Sequence, residues 1–291
     1  MSAAPAAPVP PVPARRVAST DGVTLAVHDL GGEGPGLLFC HPTGFLGLTW
    51  APLASRLADV AHGWAVDFRG HGDSTSPASM DFGWGGMADD VLAVVDDLDL
   101  AGGPAVGHSM GGTALLLAEQ RRPGTFAALW LYEPIVMPRS APRGPGVPNG
   151  MADTARRRRP WFADRATAYA NFTSKPPLGA LSAEALQAYV DHGLRDVPDD
   201  GMVALKCTPE VEARVFEGGL GQQAFARLGE VRCPVTVAVG GEDVGPALLG
   251  PPVAAALPRG RLERHEGLTH FGPMEDPARM AAAVRAALAL G

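Results

Sequence analysis

The sequence predicts an α/β chain: a mostly parallel, doubly wound sheet carrying a helical lid over one end. Three observations carry that expectation. Short apolar runs alternate with helical patterns over residues 37–134 and again over 235–290. Between them the alternation breaks, and only helical patterns appear after a Pro/Gly-rich stretch. A Gly-x-Ser-x-Gly stands where one of the strands meets a helix. The expected organisation is a Pro/Ala-rich disordered tail over 1–15, a core formed by 16–134 and 229–291, and a lid over 135–228.

Taken in order, residues 2–14 are proline-rich and uncharged, without the charged start and apolar stretch of a secretory signal. From Arg16 to Leu30 apolar and polar residues alternate around Asp21-Gly22, a hairpin turn between two short strands. Leu37-Leu38-Phe39-Cys40 is the continuous apolar run of a strand buried on both faces, and His41-Pro42-Thr43-Gly44-Phe45 follows as a loop. A helix is expected from about Trp50 to Val60, then a strand over Gly63–Phe68 and the glycine-rich loop Arg69 to Ser74. Met87, Val91, Val94, Val95 and Leu98 fall on one stripe of a helix ending near Leu100.

Pro104 to His108 forms the strand into Ser109, Thr113 to Arg122 the helix after it, and Ala128 to Tyr132 the next strand, ending at Glu133-Pro134. Pro138 to Gly150 holds four prolines and three glycines. Asp164, Ser182 and Thr208 then cap three helices, the last with Pro209 at its first position. Alternation resumes with the β-branched strand Val235–Val239 and its end, Gly240-Gly241-Glu242-Asp243. A helix near Ala247–Leu257, a strand near Arg261–His265, the loop around His270 and a helix over Pro277–Leu290 complete the chain.

Composition narrows the class. The 291 residues suit one domain with an insertion, and 46% hydrophobic residues supply a sizeable core. A net charge of −7 gives no electrostatic footprint for nucleic acid, and no stretch approaches the length of a membrane span. Cys40, Cys207 and Cys233 are far apart and odd in number, fitting neither a disulfide framework nor a zinc site, so a reducing cytoplasm is expected. The expected partner is a small-molecule substrate, without metal or cofactor; the composition does not speak to oligomeric state.

The chemistry is organised around Ser109. A strand, a sharp turn and a helix would strain the serine backbone and expose its hydroxyl above the sheet, beside the positive end of the helix. Gly107 and Gly111 let strand and helix approach. A nucleophilic serine needs a base, an acid that orients the base, and donors for the oxyanion. His270 fits the base, in a glycine-flanked loop after the last strand; His265, within that strand, is read as structural. Two strand-end carboxylates compete for the acid. Asp243 is preferred and Glu133 is the alternative, since the order Ser, acid, His admits both. One oxyanion donor is the N–H of Met110. The other belongs to the loop after Cys40, where Pro42 has no N–H; Thr43 is the choice, with Gly44 and Phe45 open.

With these motifs in place, the chain resembles the α/β-hydrolase fold superfamily, near its serine-nucleophile esterase, lactonase and haloperoxidase-like branch. The resemblance rests on His41-Pro42-Thr43-Gly44-Phe45, Asp67 to Ser74, Gly107 to Gly112, Gly240 to Asp243 and His270 to Glu275, in that order. It implies a lid between the sixth and seventh strands of the sheet, and Ser109, His270 and Asp243 as nucleophile, base and acid, with Glu133 where some branches place the acid. The site residues point to hydrolysis of a carboxylic ester, thioester or lactone, and the apolar and arginine content of the lid to a small or medium, mostly apolar substrate with room for an anionic group. The same site could serve an acyltransferase, perhydrolase or lyase, and the fold could serve a binding protein with little turnover. Two departures stand out. Pro42 occupies the place of the family's usual glycine, and serine replaces the aspartate nucleophile of dehalogenases and epoxide hydrolases, which argues against those chemistries.

The remaining features read as structural. Arg156 to Arg159, at helical spacing, would point all round and form a solvated lid face, or one of them would pair with a substrate carboxylate. Asp67, Arg69, His71 and Asp73 read as a hydrogen-bonded loop bracing the site rather than a metal cluster. Phe45, Met110, Met137, Trp161, Phe162 and Phe271 are candidates for an apolar pocket. Gly83 to Gly86 lacks the strand-to-helix context of a nucleotide site.

Overall fold

A computed structural model describes residues 14–138, 149–198 and 200–290. Residues 1–13 of the expected tail and most of the Pro/Gly-rich stretch after residue 138 lie outside the described residues, whereas Ala14 and Arg15, assigned to the tail from sequence, begin the first strand.

Eight strands form the main sheet. They are β1 (Ala14–Ala18), β2 (Thr24–Gly31), β3 (Gly36–Cys40), β4 (His62–Asp67), β5 (Gly103–His108), β6 (Phe126–Tyr132) and, after the insertion, β10 (Val235–Gly240) and β11 (Gly260–His265). Their order is β1-β2-β4-β3-β5-β6-β10-β11. β2 runs antiparallel to both β1 and β4, and the other pairs are parallel. The chain winds outward from β3 to β4, then crosses back to β5 and winds the other way. The strand order therefore reverses between β3 and β5, and a crevice opens there at the carboxyl ends.

Strand side chains alternate between two cores, as a sheet covered on both faces requires. Leu38, Ala105, Leu131 and Val237 pack with α2 (Trp84–Asp97), α3 (Met110–Arg121) and α8 (Gly250–Ala256). Leu37, Phe39, Val106 and Trp130 pack on the other face with α1 (Ala51–Ala54) and α10 (Pro277–Ala287). A short α9 (Gly272–Glu275) precedes α10. Phe172, Leu186 and Tyr189 of the insertion extend this second core, so the lid is packed onto the body.

The insertion is not purely helical, contrary to the sequence pattern. It contains α4 (Gly150–Arg156), α5 (Arg165–Thr173), α6 (Ala183–Gly193) and α7 (Pro209–Gly218), together with three short strands. These are β7 (Trp161–Phe162), β8 (Leu194–Asp196) and β9 (Val203–Leu205), paired antiparallel in the order β7-β9-β8. Two or three residues are too few to display a period. The three caps act as expected: the side chains of Asp164, Ser182 and Thr208 accept from Thr167, Ala185 and Val211 N–H.

Two helices are shorter than their patterns suggest. The segment after Trp50 leaves the α-helix at Ser55, where Arg56 and Leu57 N–H turn to Leu53 and Ala54 carbonyls in i→i+3 bonds. The segment at Ala247 begins as a 3₁₀ turn and becomes α only at Gly250, where Pro251 and Pro252 occupy positions whose N–H has no helical partner.

Candidate active site

Ser109 sits between β5 and α3 with φ 55° and ψ −116°, a region non-glycine residues rarely enter. Several bonds hold it there. Its N–H donates to Tyr132 O at 2.9 Å, and Thr113 Oγ1 donates to Ser109 O at 3.2 Å and to Ile135 O at 3.0 Å. A Cβ on Gly111 would lie 2.3 Å from Cys40 O, and one on Gly107 would lie 2.7 Å from Gly112 Cα. Glycine at these two positions is what lets β5 and α3 close around the serine. Ser109 is 7% exposed, just reached from outside.

The register of β5 and β6 places His108 opposite Tyr132, so Ser109 and Glu133 emerge side by side at the end of the sheet. Glu133 also has a positive φ, 43°, and is almost fully buried. Its Oε1 accepts Gly240 N–H at 2.8 Å, and its Oε2 lies 2.6 Å from His270 Nδ1. With Nδ1 donating to the carboxylate, the unprotonated Nε2 is left as the basic nitrogen. The loop carrying His270 is anchored by Tyr132, whose hydroxyl donates to Thr269 O at 2.7 Å, and by Thr269 N–H donating to Glu275 at 2.9 Å. The His270 and His108 rings lie 4.8 Å apart. His108 is fully buried, and burial first, then the neighbouring His270, holds its pKa well below 6.5, so that ring stays neutral.

Asp243 is not where the preferred sequence reading needs it. Its side chain is 67% exposed and forms an ion pair with Arg264 at 2.9 Å, three residues past the end of β10. The glycine turn it belongs to has a different use, since Gly240 N–H orients Glu133. Of the two strand-end carboxylates, Glu133 meets His270 because it follows the strand adjacent to β5. His265 lies within β11, buried beside Trp130 and Tyr132.

The loop after β3 faces Ser109 across the parallel pairing of Cys40 with Gly107. Phe45 N–H donates to Pro42 O at 3.2 Å, closing a turn with Thr43 and Gly44 at its centre and φ +79° at Gly44. Gly44 N–H donates to His71 Nε2 at 3.1 Å. Of the three N–H groups open to the sequence reading, two are thus engaged, and Thr43 N–H makes no hydrogen bond among the described residues. Thr43 Oγ1 contacts Met110 Sδ at 3.5 Å, so Thr43 and Met110 lie together.

Two buried histidines fix this turn. His41 Nδ1 donates to Pro42 O at 2.8 Å and its Nε2 accepts Phe68 N–H at 3.0 Å. His71 Nδ1 donates to Arg69 O at 3.0 Å. Both sets of bonds need the neutral ring, and burial holds the pKa of His41 near about 3 and that of His71 near about 4. Asp67 below them accepts from His28 at 2.9 Å, Gly47 N–H at 2.6 Å and Asp73 N–H at 2.8 Å. Burial raises its pKa and these bonds more than offset that, leaving it at about 2. His28, Asp67 and Asp73 form the one cluster among the described residues with metal-ligand geometry. Both Asp67 oxygens are taken by these donors, and Asp73 Oδ1 pairs with Lys206 at 2.7 Å, so the cluster ties the loop together as a brace.

A cavity of ≈480 Å³ lies under the lid and reaches the site at Thr43, which contacts Met110, and at Phe271, next to His270; Ser109 and His270 themselves are not in its lining. Thr43, Phe45 and Phe271 form its floor, and Phe162, Phe172 and Tyr189 part of its walls. Phe45, Phe162 and Phe271 were apolar pocket candidates in the sequence and line it; Met110 and Trp161 do not, and Met137 is absent from the lining. The Tyr132 anchor was missed in the sequence reading; its signal is a tyrosine ending an apolar strand just ahead of the Glu133 carboxylate.

Comparison with known proteins agrees with this geometry. Residues 37–283 match the family described as the alpha/beta hydrolase family. The non-heme chloroperoxidase of Streptomyces lividans is 29% identical over 269 residues, 87% of this chain and 92% of that protein. The N-formylmaleamate deformylase of Pseudomonas putida is 30% identical over 147 residues, 50% of each. The chain spans half the length or less of five of the six curated relatives it matches. The structure of E-2-(acetamidomethylene)succinate hydrolase superposes with a TM-score of 0.77 over 95% of this chain and 98% of that one, at 22% identity. With the elbow serine, the His270–Glu133 pair and the lid, the chain belongs to the alpha/beta hydrolase family.

Proposed function

We propose that the protein hydrolyses a carboxylic ester, thioester or lactone through an acyl-enzyme on Ser109. The observation that carries this is the 2.6 Å pair of His270 Nδ1 and the buried Glu133 carboxylate, one strand away from a serine held at positive φ. In this reading His270 Nε2 takes the Ser109 proton as Oγ attacks the carbonyl carbon. Met110 and Thr43 N–H donate to the developing oxyanion; such donors are each worth about 2.7–4 kcal/mol to the transition state. His270 then gives the proton to the leaving oxygen or sulfur, and activates water to release the acid. Glu133 keeps His270 in the tautomer that leaves Nε2 basic and stabilises the imidazolium that forms.

Mixing the protein with p-nitrophenyl acetate tests this. A burst of one nitrophenolate per chain is expected, with one acetyl group added to the peptide holding Ser109, and both absent from Ser109→Ala. Slow release without burst or adduct in a folded wild type would sink the acyl-enzyme.

The chloroperoxidase relative favours a second reading, in which peroxide replaces water in the second step and a peracid leaves. Product analysis with competing peroxide separates the two. The deformylase and the succinate hydrolase are named for acids, which places anionic acyl compounds among the substrates to try. Three cysteines, all free and buried, support action in a reducing compartment.

A further inference from the structure

The four consecutive arginines do not point all round a helix. α4 stops at Arg156, and Arg157 and Arg158 N–H turn back to Thr154 and Ala155 carbonyls before Pro160 leads into β7. The run therefore splits. Arg156 faces away from the cavity and pairs with Glu210 at 3.0 Å and Glu217 at 2.8 Å. Arg157, Arg158 and Arg159 line the cavity above the active site, with Lys175 and Glu212.

The charges on this wall do not cancel. Arg158 is used structurally, bonded to Glu212 and to the Tyr189 hydroxyl at 2.9 Å. The other three cations have no carboxylate partner among the described residues. Arg157 donates to Thr154 Oγ1 at 3.3 Å, Lys175 to Asn171 Oδ1 at 3.2 Å, and Arg159 through Nε to Trp161 O at 2.8 Å. The Arg159 guanidinium also lies over the Phe162 ring at 4.9 Å, and its terminal nitrogens make no hydrogen bond among the described residues. In a chain of net charge −7, four cations and one carboxylate around one cavity are a concentrated positive field. The floor is different in kind: Phe45 and Phe271 are apolar, and Thr43 is the proposed oxyanion donor.

We infer that the acyl group delivered to Ser109 carries a free carboxylate at its far end, held by Arg157, Arg159 and Lys175. The substrate class is then the half-ester or half-thioester of a dicarboxylic acid, with an apolar spacer against the phenylalanines. A guanidinium presents paired donors that match a carboxylate, which a neutral ester cannot engage equally. This inference rests on Ser109 being the nucleophile.

The test compares mono-4-nitrophenyl glutarate with its neutral methyl ester. Wild type should prefer the half-ester by about tenfold or more in kcat/KM, mainly through KM. Raising NaCl from about 0.05 M to about 0.5 M should shrink that preference. In the combined variant Arg157→Gln, Arg159→Gln, Lys175→Gln the preference should fall by about tenfold, and Arg156→Gln should leave it as in wild type. A wild type that favours the neutral diester, or a preference that survives the combined variant, overturns the inference. If neither ester is turned over, the Ser109 reading fails instead. The carboxylate site is then read by calorimetry with monomethyl glutarate: binding lost in the combined variant supports it, and no binding to wild type overturns it.

Discussion

Replacing Glu133 by glutamine changes one atom and should nearly stop the chemistry. Glu133 accepts two hydrogen bonds, from Gly240 N–H at 2.8 Å and from His270 Nδ1 at 2.6 Å. A glutamine can keep its carbonyl on Gly240 N–H, but its NH₂ then faces His270. Two donors cannot share that contact, so the imidazole adopts the tautomer with the proton on Nε2 and can no longer accept from Ser109. Loss of the correct tautomer in such a triad costs about 10⁴ in kcat, which is about 5 kcal/mol of transition-state stabilisation. The fold should survive, since both neighbours keep their packing. Asp243→Asn is the comparison. It removes an exposed ion pair with Arg264, worth about 0–1 kcal/mol of stability, and should leave kcat within about twofold because nothing catalytic touches it. The assay is steady-state hydrolysis of p-nitrophenyl acetate by both variants, with circular dichroism as the check on folding. A folded Glu133→Gln with near wild-type kcat, or a collapse of activity in Asp243→Asn, would refute the reasoning.

Three further outcomes follow from the geometry. His41 and His71 have folded-state pKa values of about 3 and about 4, below the 6.5 of the unfolded chain, chiefly through burial. The unfolded chain therefore takes up protons first on acidification; this contribution to stability should be full above pH 6.5 and drain away down to about pH 4 for His71 and about pH 3 for His41. For His71 the loss is on the order of 3 kcal/mol, readable as urea midpoints across that range. Gly111→Ala should destabilise by about 3 kcal/mol, because its Cβ would meet the Cys40 carbonyl at 2.3 Å and neither backbone can yield; a Tm unchanged from wild type would contradict this. Asp90→Asn breaks the buried pair with Arg69, whose nitrogens lie 2.9 Å and 2.7 Å from the Asp90 oxygens, and should cost about 3–5 kcal/mol in denaturant unfolding.

The parts of this molecule legible in its sequence are those set by local pattern. The run at β3 is apolar throughout, and that at β10 is broken only by the buried, β-branched Thr236, because both faces of the sheet are covered there. Asp164, Ser182 and Thr208 announce their helices because each accepts an N–H that the helix itself leaves over. Ser109 and His270 could be named because strand, turn and helix around them are short-range features. The acid could not be settled that way. Glu133 and Asp243 both end strands, and what separates them is sheet order: β6 lies beside β5, while Arg264 of β11 pulls Asp243 outward. The lid hid most. Strands of two or three residues show no period, and a run of four arginines reads as a helical face until one knows that the helix ends at Arg156. Thr43, the sequence choice for the proposed second oxyanion donor, keeps that place because the N–H groups of the two alternatives, Gly44 and Phe45, are engaged.

Labelling by a fluorophosphonate, read as intact and peptide mass, tests the central claim most directly, because only a serine activated by its base reacts readily. The account predicts one label per chain, on Ser109, with strong loss in His270→Ala and Glu133→Gln and full labelling in Asp243→Asn. A folded wild type that takes no label, or a label that persists when His270 is removed, would contradict it.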